Sequence, residues 1–193
     1  YSLTQHPDPE LEATADGAID IVCAAQLENG YLDTYYIISD QDKIFTNLKD
    51  NHELYCFGHL TEGAVAYYQA TGKDKLLKVM EKMADHIAGT FGTGRRTGIP
   101  GHQEIEIGLM KLYHVTGKEK YKDLAQYFLE ERGKNPKFFL EESEKRGWKH
   151  FGMDPEDTKY NQSFAPCGPR HLYVYGNGRC CCRGRRSGNE GSL

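Results

Sequence analysis

The sequence predicts an all-α protein built from repeated antiparallel helix hairpins. Apolar residues recur at three- and four-residue spacing through most of the chain, which is typical of helices with one buried face. A second observation is a repeat: the segment Tyr68–Lys75 (YQATGKDK) returns 45 residues later as Tyr113–Lys120 (YHVTGKEK). A helix–Thr-Gly–helix unit at this spacing indicates stacked helix pairs, arranged as a solenoid or as a closed ring. Two to three copies are too few to close a ring, so a partial one is expected.

Five helices follow from this periodicity, taken in chain order. They are predicted over Glu10–Leu27, Leu54–Tyr68, Lys75–Ile87, Ile105–Tyr113 and Tyr121–Leu129. Gly72 and Gly117 stand where a helix C-terminal cap needs a positive φ. Between the first two helices, Gly30–Asn51 predicts a long loop, in which Tyr35–Ile38 is a short strand-like stretch.

Composition divides the chain into a body, residues 1–166, and a tail, residues 167–193. The body has 19 basic and 27 acidic residues, a net charge of −8, whereas the tail has five Arg and one Glu, a net charge of +4. A length of 193 residues fits one ordinary domain or a piece of a larger one. Because the first residue is Tyr1 rather than Met, we expect the sequence to begin inside a longer protein.

The body's composition excludes several classes of partner. Its acidic balance argues against nucleic acid, since phosphate binding requires clustered Lys and Arg. No apolar run approaches the ~20 residues that cross a bilayer, so no membrane partner is expected. Cys23 and Cys56 are the body's two cysteines and are far apart in sequence. This usage favours a reducing compartment, and we predict a cytoplasmic location. The sequence leaves the oligomeric state open.

Two histidines are the candidate site residues. The long segments 30–51 and 92–101 deliver His52 and His102 to the starts of successive predicted helices, as a scaffold does when loops build a site at one end of a helical ring. The alternative is that both histidines cap acidic first helical turns. His52-Glu53-x-x-Cys56 lacks the second histidine of a zinc-binding helix, so no metal site is predicted there. His59 and His86 are interpreted as core-edge or surface residues.

Ordered sequence blocks across the body resemble one enzyme family. The blocks are Asn29–Tyr35 (NGYLDTY), Thr46–Leu48 (TNL), His52–Leu60 (HELYCFGHL), Ala64–Lys73 (AVAYYQATGK), Pro100–Glu106 (PGHQEIE) and Glu130–Gly133 (EERG). They resemble glycoside hydrolase family 127, the β-L-arabinofuranosidases, formerly a domain of unknown function. The resemblance covers roughly residues 1–164. It implies an (α/α)6 barrel, of which this chain is an early, N-terminal portion.

The resemblance also implies a chemistry whose main residues lie beyond the matched region. Family members resemble retaining glycosidases in outcome, but their nucleophile is a cysteine thiolate held on a zinc ion. One glutamate and three cysteines bind this zinc, and a separate glutamate acts as acid/base. No body residue matches these groups, so we expect no catalytic residue, no bound zinc and no hydrolysis from this chain. The resemblance assigns His52 and His102 as contacts to sugar hydroxyls at the non-reducing arabinofuranose subsite. The implied partner is therefore a carbohydrate, from arabinose-containing plant glycans or glycoprotein sugars.

The tail departs from the family pattern after Asn161–Ser163. Read one base later, the codons of Cys180, Cys181 and Cys182 permit only Val or Ala, and the displaced frame permits Gly-Met-Ala-Asp-Val-Ala-Ala-Glu, which resembles a family helix. We therefore predict that 167–193 is a frameshift-derived disordered tail without function. The alternative is a metal knuckle that includes Cys167, but three adjacent cysteines cannot all bind one ion without severe backbone distortion.

The favoured function is a fragment of a β-L-arabinofuranosidase. The alternatives are a helical-repeat interaction scaffold, in which His52 and His102 point apart, and another (α/α) barrel carbohydrate enzyme such as a lyase. A shared sugar site requires the two imidazoles to approach within about 6–10 Å and to face one concave pocket, with Glu104 or Tyr35 nearby. An incomplete ring also predicts aggregation through exposed apolar surface, at Leu109, Leu112 and Leu124.

Overall fold

The computed structural model describes residues 2–132, 134–135, 137–146, 172–174 and 180–182. These residues form mainly helices, which confirms the all-α prediction. The helices are α1 Ser2–Gln5, α2 Pro9–Ala24, α3 Thr34–Ser39, α4 Glu53–Thr71, α5 Lys75–Thr90, α6 Ile105–Thr116, α7 Glu119–Arg132 and α8 Phe138–Arg146, with a 3-10 turn at Gln41–Lys43. In the tail, β1 Leu172–Val174 and β2 Cys180–Cys182 pair antiparallel, with Tyr173 opposite Cys181. The rest of 167–193 lies outside the described residues, so the prediction for the tail stays a prediction.

The two Thr-Gly segments end α4 and α6 in the same way. Gly72 and Gly117 have φ values of 74° and 70°, in the left-handed region that glycine adopts without a steric penalty. Their backbone N–H groups donate to the carbonyls of Tyr68 and Tyr113. The predicted C-terminal caps are confirmed, and each turn starts the returning helix of a hairpin.

Helices α4 and α6 pack closely because glycines face each other. A Cβ atom added to Gly58 would lie 2.6 Å from the Glu104 carbonyl oxygen, and one added to Gly108 would lie 2.8 Å from the Gly58 carbonyl oxygen. No side chain fits between backbones at this separation. The core on either side is formed by fully buried residues, including Leu54, Phe57 and Ile105.

The prediction that Leu109, Leu112 and Leu124 are exposed is wrong. Leu109 and Leu112 are 0% exposed and Leu124 is 5% exposed, because α7 packs over α6 and buries the facing apolar stripes. Among the described residues, the large apolar side chains that are exposed lie instead in the first part of the chain, in α2 and α3. They are Leu11, Ile21, Tyr35 and Ile38.

The stretch Tyr35–Ile38 has a strand-like sequence, but it does not form a strand, since it lies within α3. Asp33 precedes this helix in an extended conformation, and its Oδ1 accepts a hydrogen bond from the Tyr35 N–H at 3.0 Å. An aspartate at this position satisfies one of the unpaired donors of a first helical turn, which outweighs the β propensity of the residues that follow. The predicted long loop 30–51 therefore contains a short helix and a 3-10 turn.

Candidate functional site

His52 lies at the N-terminal cap position of α4 in a left-handed backbone conformation, with φ 56°. Its side chain makes no capping hydrogen bond. Instead, Nδ1 lies 2.5 Å from the Asp50 carbonyl oxygen. A carbonyl only accepts, so Nδ1 carries the proton and Nε2 is left as an acceptor. His52 therefore presents an imidazole acceptor and does not act as the cap.

His102 lies two residues before Glu104, which holds the N-terminal cap position of α6. Its loop packs directly against the loop that leads to His52. The Gly101 N–H donates to the Leu48 carbonyl oxygen at 3.1 Å, and a Cβ on Gly101 would lie 2.4 Å from the Lys49 carbonyl oxygen. The two loops meet because residue 101 has no side chain.

The structure brings the two predicted site residues together. The His52 and His102 rings stack with their centroids 5.0 Å apart and an interplanar angle of 29°. Tyr55 lies beside both, with centroid distances of 5.7 Å to His52 and 5.2 Å to His102. The scaffold alternative predicted that the histidines point apart, and the capping alternative placed them as caps. The ring pair contradicts the first, and the absent capping bond of His52 and the position of Glu104 contradict the second.

Electrostatics keep His102 neutral near pH 7. Burial lowers the pKa of His102 from 6.5, and the nearby His52 ring, Arg132 and Lys49 lower it further. A neutral imidazole has one donor and one acceptor nitrogen, so it can bind a hydroxyl group in either sense. The ring pair is suited to hydrogen bonding with an uncharged polyol.

A second cluster adjoins the first through Tyr55, whose ring lies 4.4 Å from that of His59. His59 Nδ1 lies 3.2 Å from Glu104 Oε1 and 3.6 Å from Glu62 Oε2, and the Lys111 ammonium group pairs with Glu62. Sequence reasoning interpreted His59 as an edge residue and missed this cluster. The signal was available in His59-x-x-Glu62, since residues three apart share a helix face.

The two carboxyl groups of this cluster have opposite proton affinities. Burial raises the pKa of Glu104 to about 7, and the neighbouring Glu62 carboxylate adds to the rise. Burial also acts to raise the pKa of Glu62, but hydrogen bonds from Lys111 and Glu104 lower it overall. Between about pH 4.5 and about 7, Glu104 therefore holds the proton that it shares with an ionised Glu62.

His59, Glu62 and Glu104 together offer ligand atoms of the kinds that bind metal ions. Ligand atoms of His59, Glu62 and Glu104 lie within 4.8 Å of one another, the one such group of three among the described residues. One imidazole and two carboxylates differ from the glutamate and three cysteines that the family resemblance implies. The Lys111 ammonium group already neutralises Glu62. These residues therefore do not fit the zinc site implied by the resemblance.

Of the two predicted neighbours, Glu104 belongs to the adjoining cluster of His59. Tyr35 is 64% exposed, and its ring packs on Tyr36, whose hydroxyl accepts a hydrogen bond from Asn51, the residue before His52. Tyr36 rather than Tyr35 is thus tied to the histidine loop. A cavity of about 410 Å³ includes neither histidine, and the predicted concave pocket at His52 and His102 stays a prediction. The cavity is lined by Asp16, Ile19, Asp20, Tyr67, Lys73, Asp74, Lys75 and Leu76.

Comparison with known proteins identifies relatives with one activity. The sequence model of the β-L-arabinofuranosidase GH127 catalytic domain matches residues 1–167. The non-reducing end β-L-arabinofuranosidase of Bifidobacterium longum is 43% identical over 149 residues, which are 74% of this chain and 22% of that protein.

Two solved structures show the same relationship. A GH127 β-L-arabinofuranosidase from Geobacillus stearothermophilus T6 is 48% identical, with a TM-score of 0.78, over 86% of this chain and 26% of that one. A GH127 β-arabinofuranosidase is 39% identical, with a TM-score of 0.64, over 70% of this chain and 23% of that one. The chain thus spans about a quarter of the length of the relatives that it matches.

Proposed function

Because the chain belongs to the GH127 β-L-arabinofuranosidase family, we propose that it is a piece of a glycosidase in which His52 and His102 bind a non-reducing β-L-arabinofuranose. Its helix hairpins are part of the (α/α)6 barrel of these enzymes. The partner that follows is a carbohydrate. The single observation that supports the sugar site best is the stacked pair of imidazoles, 5.0 Å apart, that two successive hairpins bring together.

The donors and acceptors of this pair suit a furanose. The His52 Nε2 atom is an acceptor because Nδ1 is committed to the Asp50 carbonyl. The neutral His102 ring offers a donor and an acceptor. Each hydrogen bond spans about 2.9 Å, so two adjacent sugar hydroxyls can reach both rings at once. Tyr55 adds an aromatic surface beside the pair.

Binding is tested by titrating the chain with methyl β-L-arabinofuranoside and observing saturation-transfer NMR signals of the sugar. We expect signals from the wild type and their loss in His52→Ala and in His102→Ala. The matched control is His114→Ala, since His114 is an exposed histidine on α6. Retention of the signals in both site variants, or their loss in His114→Ala, contradicts the proposed site.

We also propose that the 193-residue chain does not hydrolyse glycosides, because the thiolate and acid/base groups implied by the family lie beyond the matched region. The purified chain is expected to release no L-arabinose from an aryl β-L-arabinofuranoside, with or without added zinc and reductant. Clear turnover contradicts this proposal and makes Cys167 and the cysteines of β2 candidate catalytic residues.

Two further proposals concern the tail and the cell compartment. The family match ends at residue 167, which supports a frameshift in the tail, and genomic DNA read in all frames across codons 160–193 tests it. Cys23 and Cys56 are both free, which supports a reducing, cytoplasmic environment. Along the described part of the chain, the helices are too short or too polar to cross a bilayer.

A further inference from the structure

We propose that Glu53 is a positioning residue, whose buried carboxylate shapes the loop 45–52 and thereby holds His52 against His102. This proposal rests on the proposed function only in taking the histidine pair as the sugar site. Glu53 is the first residue of α4, directly after His52, and it is 1% exposed. Sequence reasoning treated it as an acidic residue of a first helical turn. The structure turns it inward instead.

The Glu53 carboxylate closes the loop by binding its first residue. The Phe45 N–H donates to Glu53 Oε1 at 2.9 Å and lies 3.2 Å from Oε2. The Tyr31 hydroxyl donates to Oε1 at 2.6 Å, and Tyr31 is itself fully buried. Phe45 lies eight positions before Glu53 in the sequence, so these bonds fix the two ends of the loop relative to each other.

The loop is held in a conformation that its residues do not favour. Phe45 and His52 both have positive φ values, 57° and 56°, and they are the two non-glycine residues among those described that do. Left-handed backbone is unfavourable for residues with a Cβ and persists where the surroundings determine it. At Phe45 those surroundings are the Glu53 carboxylate on the N–H, the Arg96 side chain on the carbonyl oxygen, and the Tyr31 ring.

Both histidines depend on this loop. His52 is its last residue, and the Leu48 carbonyl in its middle accepts the hydrogen bond from Gly101, the neighbour of His102. A shift of the loop therefore moves His52 directly and moves His102 through Gly101. This connection explains why a fully buried acidic group stands next to the site without facing it.

The test measures the ring pair itself, independently of any sugar. In chain with isotope-labelled histidine, wild type is expected to show an NOE between the His52 and His102 rings. Folded Glu53→Ala is expected to lose it. Glu53→Gln is expected to retain it, because both hydrogen bonds to Oε1 can be accepted by the amide oxygen. An NOE retained in folded Glu53→Ala, or lost in Glu53→Gln, overturns the proposal.

Where Glu53→Ala does not fold, Tyr31→Phe takes its place, since it removes one donor to the carboxylate. Its His52 ring signals are expected to shift. The control is Tyr121→Phe, which removes a hydroxyl that donates to Glu81 from another fully buried tyrosine. Unchanged His52 signals in Tyr31→Phe overturn the proposal. Equal changes in Tyr121→Phe also overturn it, because they indicate a general loss of packing.

The sugar provides a separate readout. Affinity for methyl β-L-arabinofuranoside is expected to fall at least about tenfold in Glu53→Ala, or about threefold in Tyr31→Phe if that variant replaces it, and to stay within about twofold in Glu53→Gln. Unchanged affinity in the decisive variant overturns the proposal. If wild type binds no sugar, the proposed function fails, and the ring NOE alone decides the role of Glu53.

Discussion

Glu53→Gln should remove a pH dependence of stability that the buried carboxyl group creates. Burial raises the pKa of Glu53 from 4.5 to about 7, while hydrogen bonds from Tyr31 and Phe45 and the charge of Arg96 oppose the rise. Below about pH 4.5 the group is protonated in both folded and unfolded protein. Between pH 4.5 and about 7 the unfolded protein releases its proton and the folded protein keeps it, so the free energy of unfolding falls as the pH rises.

The size of this effect follows from the two pKa values. A difference of about 2.5 between the folded and unfolded pKa corresponds to about 3 kcal/mol, at about 1.36 kcal/mol per pKa unit. The glutamine variant stays uncharged at every pH and keeps the acceptor for Tyr31 and Phe45. The stability of Glu53→Gln minus that of wild type should therefore rise by about 3 kcal/mol between pH 4.5 and 8.

Urea unfolding followed by circular dichroism over this pH range measures the difference. Taking the difference between two variants cancels the contributions of Glu104 and Glu106, whose pKa values burial also raises to about 7. The control for the loss of one charge is Glu28→Gln, at an exposed position. A Glu53→Gln difference that stays constant across the range contradicts a raised pKa of Glu53, since it means that Tyr31 and Phe45 fully compensate the buried charge.

Three further outcomes are expected. Gly72→Ala should lower the free energy of unfolding by about 1 kcal/mol in urea titrations, because φ at Gly72 is 74° with open space around it. Gly63→Ala inside α4 should instead raise stability slightly, and equal effects of the two substitutions contradict this expectation. Gly108→Ala should cost about 1–3 kcal/mol by forcing α4 and α6 apart, and Gly89→Ala, with nothing within 4 Å, should not; a neutral Gly108→Ala contradicts the close packing. In calorimetric titrations, most of the fall in sugar affinity that accompanies protonation of His102 should occur below pH 6.5, and a fall already complete at pH 6.5 contradicts the lowered pKa.

Local patterns in the sequence predict the helices well because each helix depends on nearby residues. The stripes that fix α4 and α6 and the glycines that end them, Gly72 and Gly117, all act within one or two turns. The strand-like pattern of Tyr35–Ile38 misleads because the cap that Asp33 supplies, and not the β propensity of the stretch itself, decides its conformation. The buried state of Leu109 could not be predicted, because it depends on the placement of α7.

The site is predictable only in part. His52 and His102 stand out because each follows a long loop and begins a repeat, and the repeat places both at the same end of neighbouring helices. His59-x-x-Glu62 is visible as a pair on one helix face, but its partner Glu104 lies in another segment, and Glu53 does not stand out because its role depends on Phe45. Contacts between segments are set by packing and by the close approach at Gly101, which a single sequence does not display.

NMR that observes imidazole and backbone amide signals during a titration with methyl β-L-arabinofuranoside shows whether His52 and His102 bind one sugar together. We expect the imidazole signals of both residues to move with a single dissociation constant, and the signals of residues that line the separate cavity, such as Tyr67 and Lys73, to stay unchanged. Unmoved signals from both histidines, or a response confined to the cavity of Tyr67 and Lys73, would contradict it.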